Sequence, residues 1–195
     1  RRFRLPAPPL PILVAGGASG VTPDLLAPLL DDTPCTVVFA GRTAIETESA
    51  QLEACADAAA IRQKLVTTMR AAGESVTPAD IEAHVSRIMH NREIKRNIKS
   101  LETLGARVSY IQTDLTSQSG LDRLVKEVKK TFGDMDALLV TAGALKDGPL
   151  DTKTAEDVQT VLTTKLIPAA HLPRALHSPK LKKVIFFGSV AGHYG

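Results

Sequence analysis

The chain has 195 residues, of which 44% are hydrophobic and 23% charged, and its formal net charge is +3. This apolar content is too high for a disordered chain, and no apolar run approaches the roughly 20 residues that a membrane helix needs. Two cysteines without a CxxC pair argue against a zinc site, and the small charge argues against nucleic acid as a partner. The composition predicts one globular domain in a reducing, cytoplasmic compartment, with no metal.

The first eleven residues contain four prolines and indicate an extended linker that leads into a domain. The sequence also does not begin with Met, so we expect the chain to be cut from a longer protein. The domain itself should then cover residues 12–195.

Five short apolar runs have the length and the β-branched composition of strands. They are nearly continuously apolar, as strands buried on both faces of a parallel sheet are. The predicted strands cover residues 12–15, 36–40, 107–113, 137–141 and 183–188.

Helical patterns separate these runs. The first covers residues 22–30, with Thr22 as N-cap and Pro23 at the first helical position. We expect its buried side to carry Leu25, Leu26, Leu29 and Leu30. The second covers residues 118–132, with an apolar side formed by Leu121, Leu124, Val125 and Val128.

A third helical pattern covers residues 154–176, and we expect it to break or kink near Pro168 and Pro173. Its predicted apolar side consists of Val158, Val161, Leu162 and Leu166. Strands that alternate with helices are typical of βαβ units, so the sequence predicts an α/β fold with a parallel sheet and right-handed crossovers.

Residues 44–99 interrupt this alternation, because they contain no strand signal and are rich in Ala, Glu, Arg, Lys and Gln. A strand-to-helix connection normally takes about 2–6 residues, so the segment predicts a helical insertion between the second and third strands. One helix should end at Gly73, and Thr77 should cap the next. The two predicted apolar stripes are Ile61, Leu65 and Met69, then Ile81, Val85, Ile88, Met89, Ile94, Ile98 and Leu101.

A glycine-rich turn follows the first predicted strand, and a helix begins directly after it. Glycines at this place let backbone N–H groups approach a pyrophosphate, and the helix dipole favours the anion. A tight turn that needs glycine for positive φ explains the same residues without a cofactor. The candidate cofactor contacts in this turn are Gly16, Gly17, Ala18, Ser19, Gly20 and Val21.

Three further strand ends carry candidate cofactor residues. Arg42 follows the second strand and could pair with a 2′-phosphate, which favours NADPH over NADH, although a solvated arginine is common there. Asp114 follows the third strand and could accept from an adenine amino group, but Asp is also a routine turn residue. The remaining candidates at these ends are Gly41, Leu115, Thr141, Ala142 and Gly143.

With Lys165 and the run from Phe187 to Gly192, these residues resemble the short-chain dehydrogenase/reductases. More narrowly, they resemble the ketoreductase domains of polyketide and polyunsaturated-fatty-acid synthases, in which a lysine comes from the helix before the serine strand, as Lys165 does. Pro168 stands where that lysine motif usually has glycine. The resemblance implies a doubly wound, Rossmann-like parallel sheet of strand order 3-2-1-4-5 with helices on both faces.

The resemblance also implies an activity, the NADPH-dependent reduction of a β-ketoacyl thioester carried on the phosphopantetheine of an acyl carrier protein. Other synthase domains would be partners. Ser189 would bond the substrate oxygen, and Lys165 would hold the cofactor ribose and favour the ionised form of a tyrosine, whose ordinary pKa is about 10. The family's tyrosine lies roughly a dozen residues after the serine, where neither Tyr110 nor Tyr194 stands. We therefore expect the chain to be truncated before its catalytic tyrosine.

Two other functions remain open. The chain could be a non-catalytic Rossmann module that binds nucleotide or supports neighbouring synthase domains, or a free-standing reductase of small molecules. A tyrosine about thirteen residues after Ser189 in the encoded protein would favour the synthase ketoreductase. A sheet that ends with the strand at 183–188 would also leave an apolar edge unpaired, so we expect an incomplete domain.

Overall fold

The structure is a computed structural model that describes residues 10–30, 35–73 and 77–189, without the side chains of Leu10 and Leu29. Its five strands are β1 (Leu10–Ala15), β2 (Cys35–Gly41), β3 (Arg107–Gln112), β4 (Ala137–Val140) and β5 (Lys183–Phe186). They form one sheet in the order β3-β2-β1-β4-β5, and every neighbouring pair is parallel. The predicted doubly wound sheet and its strand order are confirmed.

Among the described residues, six α-helices connect these strands, with a short 3-10 helix at Leu150–Thr152. They are α1 (Thr22–Leu30), α2 (Ala50–Glu53), α3 (Ala58–Ala71), α4 (Pro78–Thr103), α5 (Gln118–Phe132) and α6 (Ala155–Ala175). Thr22 is thus the first helical residue of α1 instead of its N-cap. None of the helices in the described ranges is long and apolar enough to cross a lipid bilayer.

The strand bounds differ from the prediction by one or two residues at most ends. β1 begins at Leu10, inside the segment 1–11 predicted as a linker, because Leu10 and Pro11 are in register with Cys35 and Thr36 of β2. The rest of that linker, residues 1–9, lies outside the described residues. β3, β4 and β5 end before their predicted limits, although Thr113 still donates its backbone N–H to the carbonyl of Gly41.

Both faces of the sheet are covered by helices, as predicted. One face packs its side chains against α5 and α6, through a core that includes Leu13, Val38, Leu138, Leu121, Leu124, Val128 and Leu172. Successive residues of a strand point to opposite faces, so Ile12, Val14, Val37 and Phe39 face the other side, and all four are buried. Within α1, Leu26 and Leu30 are buried but Leu25 is 52% exposed, which corrects the prediction that it lies in the core.

The buried side of α6 is not the one predicted. Thr164, Pro168 and Leu172 are buried, whereas Val158, Leu162 and Leu166 are exposed and Val161 is half-buried. Apolar residues thus lie on two sides of α6, and the side that contacts α5 and β4 is the buried one. The predicted break is also absent, because α6 runs through Pro168 and Pro173 and burial of the Pro168 ring offsets part of the cost of its missing N–H.

Strand β5 lies at one edge of the sheet and pairs with β4. Val184 and Phe186 stand in register with Leu138 and Val140, so they share the face covered by α5 and α6. Phe186 is nevertheless 54% exposed and Val184 is 38% exposed. The described strand β5 therefore presents apolar side chains to solvent, as the sequence predicted for this edge.

Residues 44–96 form a compact unit of their own, apart from the unit that contains the sheet. Its core is Ile61, Ile81 and Val85, with Leu65 and Met69 packed against it, whereas Met89 is exposed and was wrongly placed in the stripe. The predicted start of α4 is present, since Thr77 and Asp80 exchange side-chain and backbone hydrogen bonds. The predicted insertion limit of 99 falls three residues beyond the limit of this unit.

Arg92 holds the non-helical start of this unit to α4. Its guanidinium bonds the carboxylate of Glu48 at 2.7 Å and donates to the carbonyls of Leu52 and Cys55, both at 2.6 Å. The Glu48 bond raises the pKa of Arg92 above its ordinary value. One side chain thus bonds the carbonyl of Leu52 in the last turn of α2 and the carbonyl of Cys55 just after that helix.

Candidate cofactor and active site

The turn between β1 and α1 is built on three glycines with positive φ. Gly16, Gly17 and Gly20 have φ values of 91°, 68° and 70°. Gly16 also donates its N–H to the carbonyl of Ala40 at 2.7 Å, which keeps the turn over the end of β2. Residues with side chains rarely adopt such φ values, so glycine is required here for the backbone path.

The same turn packs directly on the end of β4. A Cβ placed on Gly16 would lie 2.7 Å from the backbone N and Cα of Ala142, and one on Gly17 would clash with Oγ1 of Thr141. Thr141 and Ala142 in turn donate their N–H groups to the carbonyl of Ala15, at 3.0 and 2.9 Å. The small residues at these two strand ends are therefore demanded by close packing between the two turns.

Gly20 differs from the first two glycines, because a Cβ there would meet nothing within 4 Å. Val21 beside it is 67% exposed. At the position of a Gly20 side chain, the outer part of the turn is therefore not packed against other residues, directly before the N-terminus of α1.

Asn97 of α4 holds the middle of this turn. Its side-chain amide donates to the carbonyl of Ala18 at 3.1 Å, across 79 residues of sequence. Ala18 itself is buried. Because the bond ties this buried carbonyl to a helix, Asn97 stabilises one conformation of the turn.

Replacing Asn97 by Ala is expected to weaken cofactor binding by about 2- to 10-fold, the effect of losing one neutral hydrogen bond. The dissociation constant for NADPH, measured by titration of the purified chain, tests this. Thr103→Val is a suitable control, since it also removes a bond from a side chain of α4 to a backbone carbonyl. Thr103 lies near the start of β3, at the amino ends of the strands and away from the glycine turn. Equal losses in both variants would contradict a specific role of Asn97.

Arg42 is exposed at the end of β2, and the edge strand β3 contacts its backbone. The side chain of Gln112 donates to the carbonyl of Arg42 at 3.3 Å, and the hydroxyl of Tyr110 donates to the carbonyl of Thr43 at 2.9 Å. Arg42 therefore stands at the carboxyl edge of the sheet, the edge at which ligands of open α/β sheets bind.

Asp114 accepts two bonds from Thr116, from its backbone N–H at 2.9 Å and from its hydroxyl at 2.7 Å. These bonds, with a smaller attraction to Arg42, lower the pKa of the Asp114 carboxyl. The Asp114 side chain thus stabilises a turn with Thr116, which is the structural role that the sequence left open for this residue. The side chain of Leu115 is buried in the core, so only its backbone remains available to a ligand.

Lys165 of α6 reaches the same edge of the sheet from the side of β5. Its ammonium donates to the carbonyl of Phe187 at 3.3 Å, directly after β5. It also lies against Gly143, where a Cβ would stand 3.5 Å from Nζ. A small side chain at position 143 would therefore make only an ordinary contact with the ammonium.

Ser189 is exposed, two residues beyond the Phe187 carbonyl that Lys165 bonds. Tyr110 lies in β3, at the other edge of the sheet from β5, and its hydroxyl donates to the carbonyl of Thr43. Tyr194 lies outside the described residues. In the described ranges, no group of three or more His, Cys, Asp or Glu side chains is placed to hold a metal ion.

The structure thus brings the glycine turn, the end of β4 and Lys165 into a continuous row of contacts. A family model described as KR domain matches residues 11–195, nearly the whole chain. The chain belongs to the KR domain family. This KR domain has the parallel sheet that the sequence resemblance implied.

Individual relatives of this KR domain include large synthases. Polyketide synthase PksL of Bacillus subtilis is 38% identical over 101 residues, 52% of this chain and 2% of PksL. One chain of the polyunsaturated fatty acid synthase of a Thraustochytrium species is 24% identical over 192 residues, 94% of this chain and 7% of that one. The chain therefore spans a small part of these relatives.

A solved structure supports the fold. The crystal structure of an N-terminal ketoreductase from a macrolactin assembly line aligns with this KR domain at a TM-score of 0.67 and 21% identity. The alignment covers 98% of this chain and 30% of that one. At this identity the likeness shows the shared fold.

Sequence reasoning missed three polar residues of this edge: Asn97, Tyr110 and Gln112. Each bonds a backbone carbonyl in or beside a residue that the sequence had selected. One signal was present for the pair on β3, since Tyr110 and Gln112 alternate with Ile111 and so share one face of the sheet. No local pattern distinguishes Asn97 from other polar residues of its helix.

Proposed function

We propose that the chain binds NADPH and serves in the reduction of a β-ketoacyl thioester to the β-hydroxyacyl thioester. The observation that carries this proposal is Lys165, whose ammonium lies against Gly143 and bonds the end of β5 at the edge that also holds the glycine turn. A cation at this point can hold a ribose hydroxyl and stabilise developing negative charge.

The residues of the glycine turn fit a dinucleotide. The turn leads directly into the N-terminus of α1, where backbone N–H groups and the helix dipole favour an anion such as a pyrophosphate, and an added side chain at Gly20 would meet nothing within 4 Å. When bound, the reduced nicotinamide supplies a hydride to the keto carbon. The protein's part is to hold the reactants and to stabilise charge.

Two side chains would act on the substrate end of the site. Ser189 donates a hydrogen bond to the substrate oxygen as negative charge develops there. Lys165 orients the ribose and favours the anion of the acid that gives the oxygen its proton. The resemblance assigns that acid to a tyrosine roughly a dozen residues after Ser189, a position that Tyr194 does not occupy.

The proposed substrate is carried by the phosphopantetheine arm of an acyl carrier protein, and other synthase domains are the proposed partners. The synthase relatives support this assignment, because the chain matches short stretches of very long proteins. An acyl group that must reach several sites is held on a carrier in such assemblies.

Arg42 is the proposed contact of the 2′-phosphate. Its guanidinium would pair with the phosphate through charged hydrogen bonds, each stronger than a neutral one. The Arg42→Ala variant should therefore bind NADPH about 10- to 100-fold more weakly and leave the affinity for NADH unchanged. Titrations of the purified chain with both cofactors measure this.

Arg107→Ala is the matched control, because Arg107 is also an exposed arginine. It lies at the start of β3, whereas Arg42 follows the carboxyl end of β2. This variant should leave both affinities unchanged. Equal affinity of the wild-type chain for NADPH and NADH would contradict the proposed role of Arg42.

A further inference from the structure

We propose that Tyr110 and Gln112 are positioning residues that hold Arg42 in place and thereby set the preference for a 2′-phosphorylated cofactor. The inference rests on the proposed function of Arg42. It adds the edge strand β3 to the cofactor site, although neither side chain needs to touch the cofactor.

The register of the sheet places both side chains beside the end of β2. Tyr110 is opposite Phe39 and Gln112 is opposite Gly41, so both share the sheet face of Gly41. Since the two strands are parallel, their carboxyl ends lie together. The polar tips of the two residues therefore reach the segment that follows Gly41.

Their bonds fix two consecutive carbonyls. Gln112 donates to the carbonyl of Arg42 and Tyr110 donates to the carbonyl of Thr43. These carbonyls belong to the two residues that follow the last residue of β2. The two side chains therefore extend the hydrogen bonding between β2 and β3 by two residues. An arginine on a fixed backbone loses less conformational entropy when it binds a phosphate.

Gly41 is fitted to the tyrosine. A Cβ on Gly41 would lie 2.8 Å from the Tyr110 hydroxyl oxygen, but 3.6 Å or more from its ring atoms. The φ of Gly41 is not in the positive region, so the space for the hydroxyl, and not the backbone, selects glycine here. An alanine at this position would push the hydroxyl away from Thr43.

The hydroxyl remains a donor over the neutral pH range. Burial raises the pKa of Tyr110 above its ordinary value, so the phenol keeps its proton. The bond to Thr43 therefore does not depend on ionisation of the tyrosine.

The test is a double-mutant cycle on the purified chain, read as the ratio of the dissociation constants for NADH and NADPH. Tyr110→Phe removes only the hydroxyl and should lower this ratio by about 2- to 10-fold, as should Gln112→Leu. Gly41→Ala should lower it similarly. The double variant Gly41→Ala/Tyr110→Phe should lose no more than Tyr110→Phe alone, since the hydroxyl that clashes is gone.

The affinity for NADH should stay within about twofold of wild type in Tyr110→Phe and Gln112→Leu, because NADH has no 2′-phosphate for Arg42 to hold. A proportional loss of both affinities would overturn the inference, since it indicates general damage to the site. Thr103→Val serves as the control for losing a hydroxyl-to-carbonyl bond at the end of α4.

The outcomes separate the inference from the proposed function. A wild-type chain without preference for NADPH would overturn both. A wild-type preference that Arg42→Ala abolishes, but that Tyr110→Phe and Gln112→Leu leave intact, would overturn the positioning role alone. Additive losses in the double variant would overturn the fit between Gly41 and the hydroxyl. If Gly41→Ala does not fold, Tyr110→Phe and Gln112→Leu still decide.

Discussion

Lys165→Ala and Ser189→Ala are each expected to lower kcat/KM for β-ketoacyl thioester reduction by about 10²- to 10⁴-fold in the full-length natural protein. The serine variant loses the proposed donor to the oxygen that gains negative charge, and the lysine variant loses the cation proposed to hold the ribose and to favour the anion of the proton donor. The substrate for the assay is an acetoacetyl thioester of pantetheine, and cofactor oxidation is followed by absorbance.

The two variants should differ in cofactor binding. Lys165→Ala should also weaken NADPH binding, because the lysine is proposed to hold the ribose, whereas Ser189→Ala should leave the NADPH affinity unchanged. Lys126→Ala and Ser119→Ala are matched controls, since both residues are exposed on α5. Turnover within about threefold of wild type in both active-site variants would contradict the site assignment.

Gly16→Ala is expected to lower the free energy of unfolding by about 3–5 kcal/mol, which combines backbone strain with overpacking. Its Cβ would stand 2.7 Å from backbone atoms of Ala142, which cannot rotate away, and its φ is +91°. Gly20→Ala should cost only about 1–2 kcal/mol, because the strain of positive φ is present but the space is open.

Urea denaturation followed by far-ultraviolet circular dichroism measures both values, as the chain contains no Trp for a fluorescence signal. Gly20→Asn is the control for the strain, because asparagine tolerates positive φ better than alanine and should recover part of the loss. Equal costs for Gly16→Ala and Gly20→Ala would contradict the close packing of the two turns.

The Gly16 variant should also affect the catalytic end of the site. A Cβ on Gly16 would clash with Ala142, and the ammonium of Lys165 lies 3.5 Å from the Cβ position of the next residue, Gly143. A shift of the glycine turn therefore moves the segment that supports the lysine. The glycine turn and Lys165 lie at the same carboxyl edge of the sheet.

Much of the architecture was predictable because it depends on local patterns. Continuous apolar runs revealed the five strands, the spacing of Leu121, Leu124 and Val128 revealed α5, and the pair Thr77 and Asp80 revealed the start of α4. Glycines after the first strand indicated the turn, since a strand-to-helix turn with positive φ needs them. Lys165 and Ser189 came from the family resemblance, and their catalytic roles remain predictions.

The tertiary structure decided what depends on register and packing. α6 carries two apolar stripes, and only its contact with α5 and β4 buries Thr164, Pro168 and Leu172 instead of Leu162 and Leu166. The bonds of Asn97, Tyr110 and Gln112 join residues 67 to 79 positions apart, and no local pattern specifies such partners. The residue types that form strands, turns and caps act over a few neighbours and are readable in the chain, whereas the choice of a buried face and of a distant carbonyl exists only after the strands have paired.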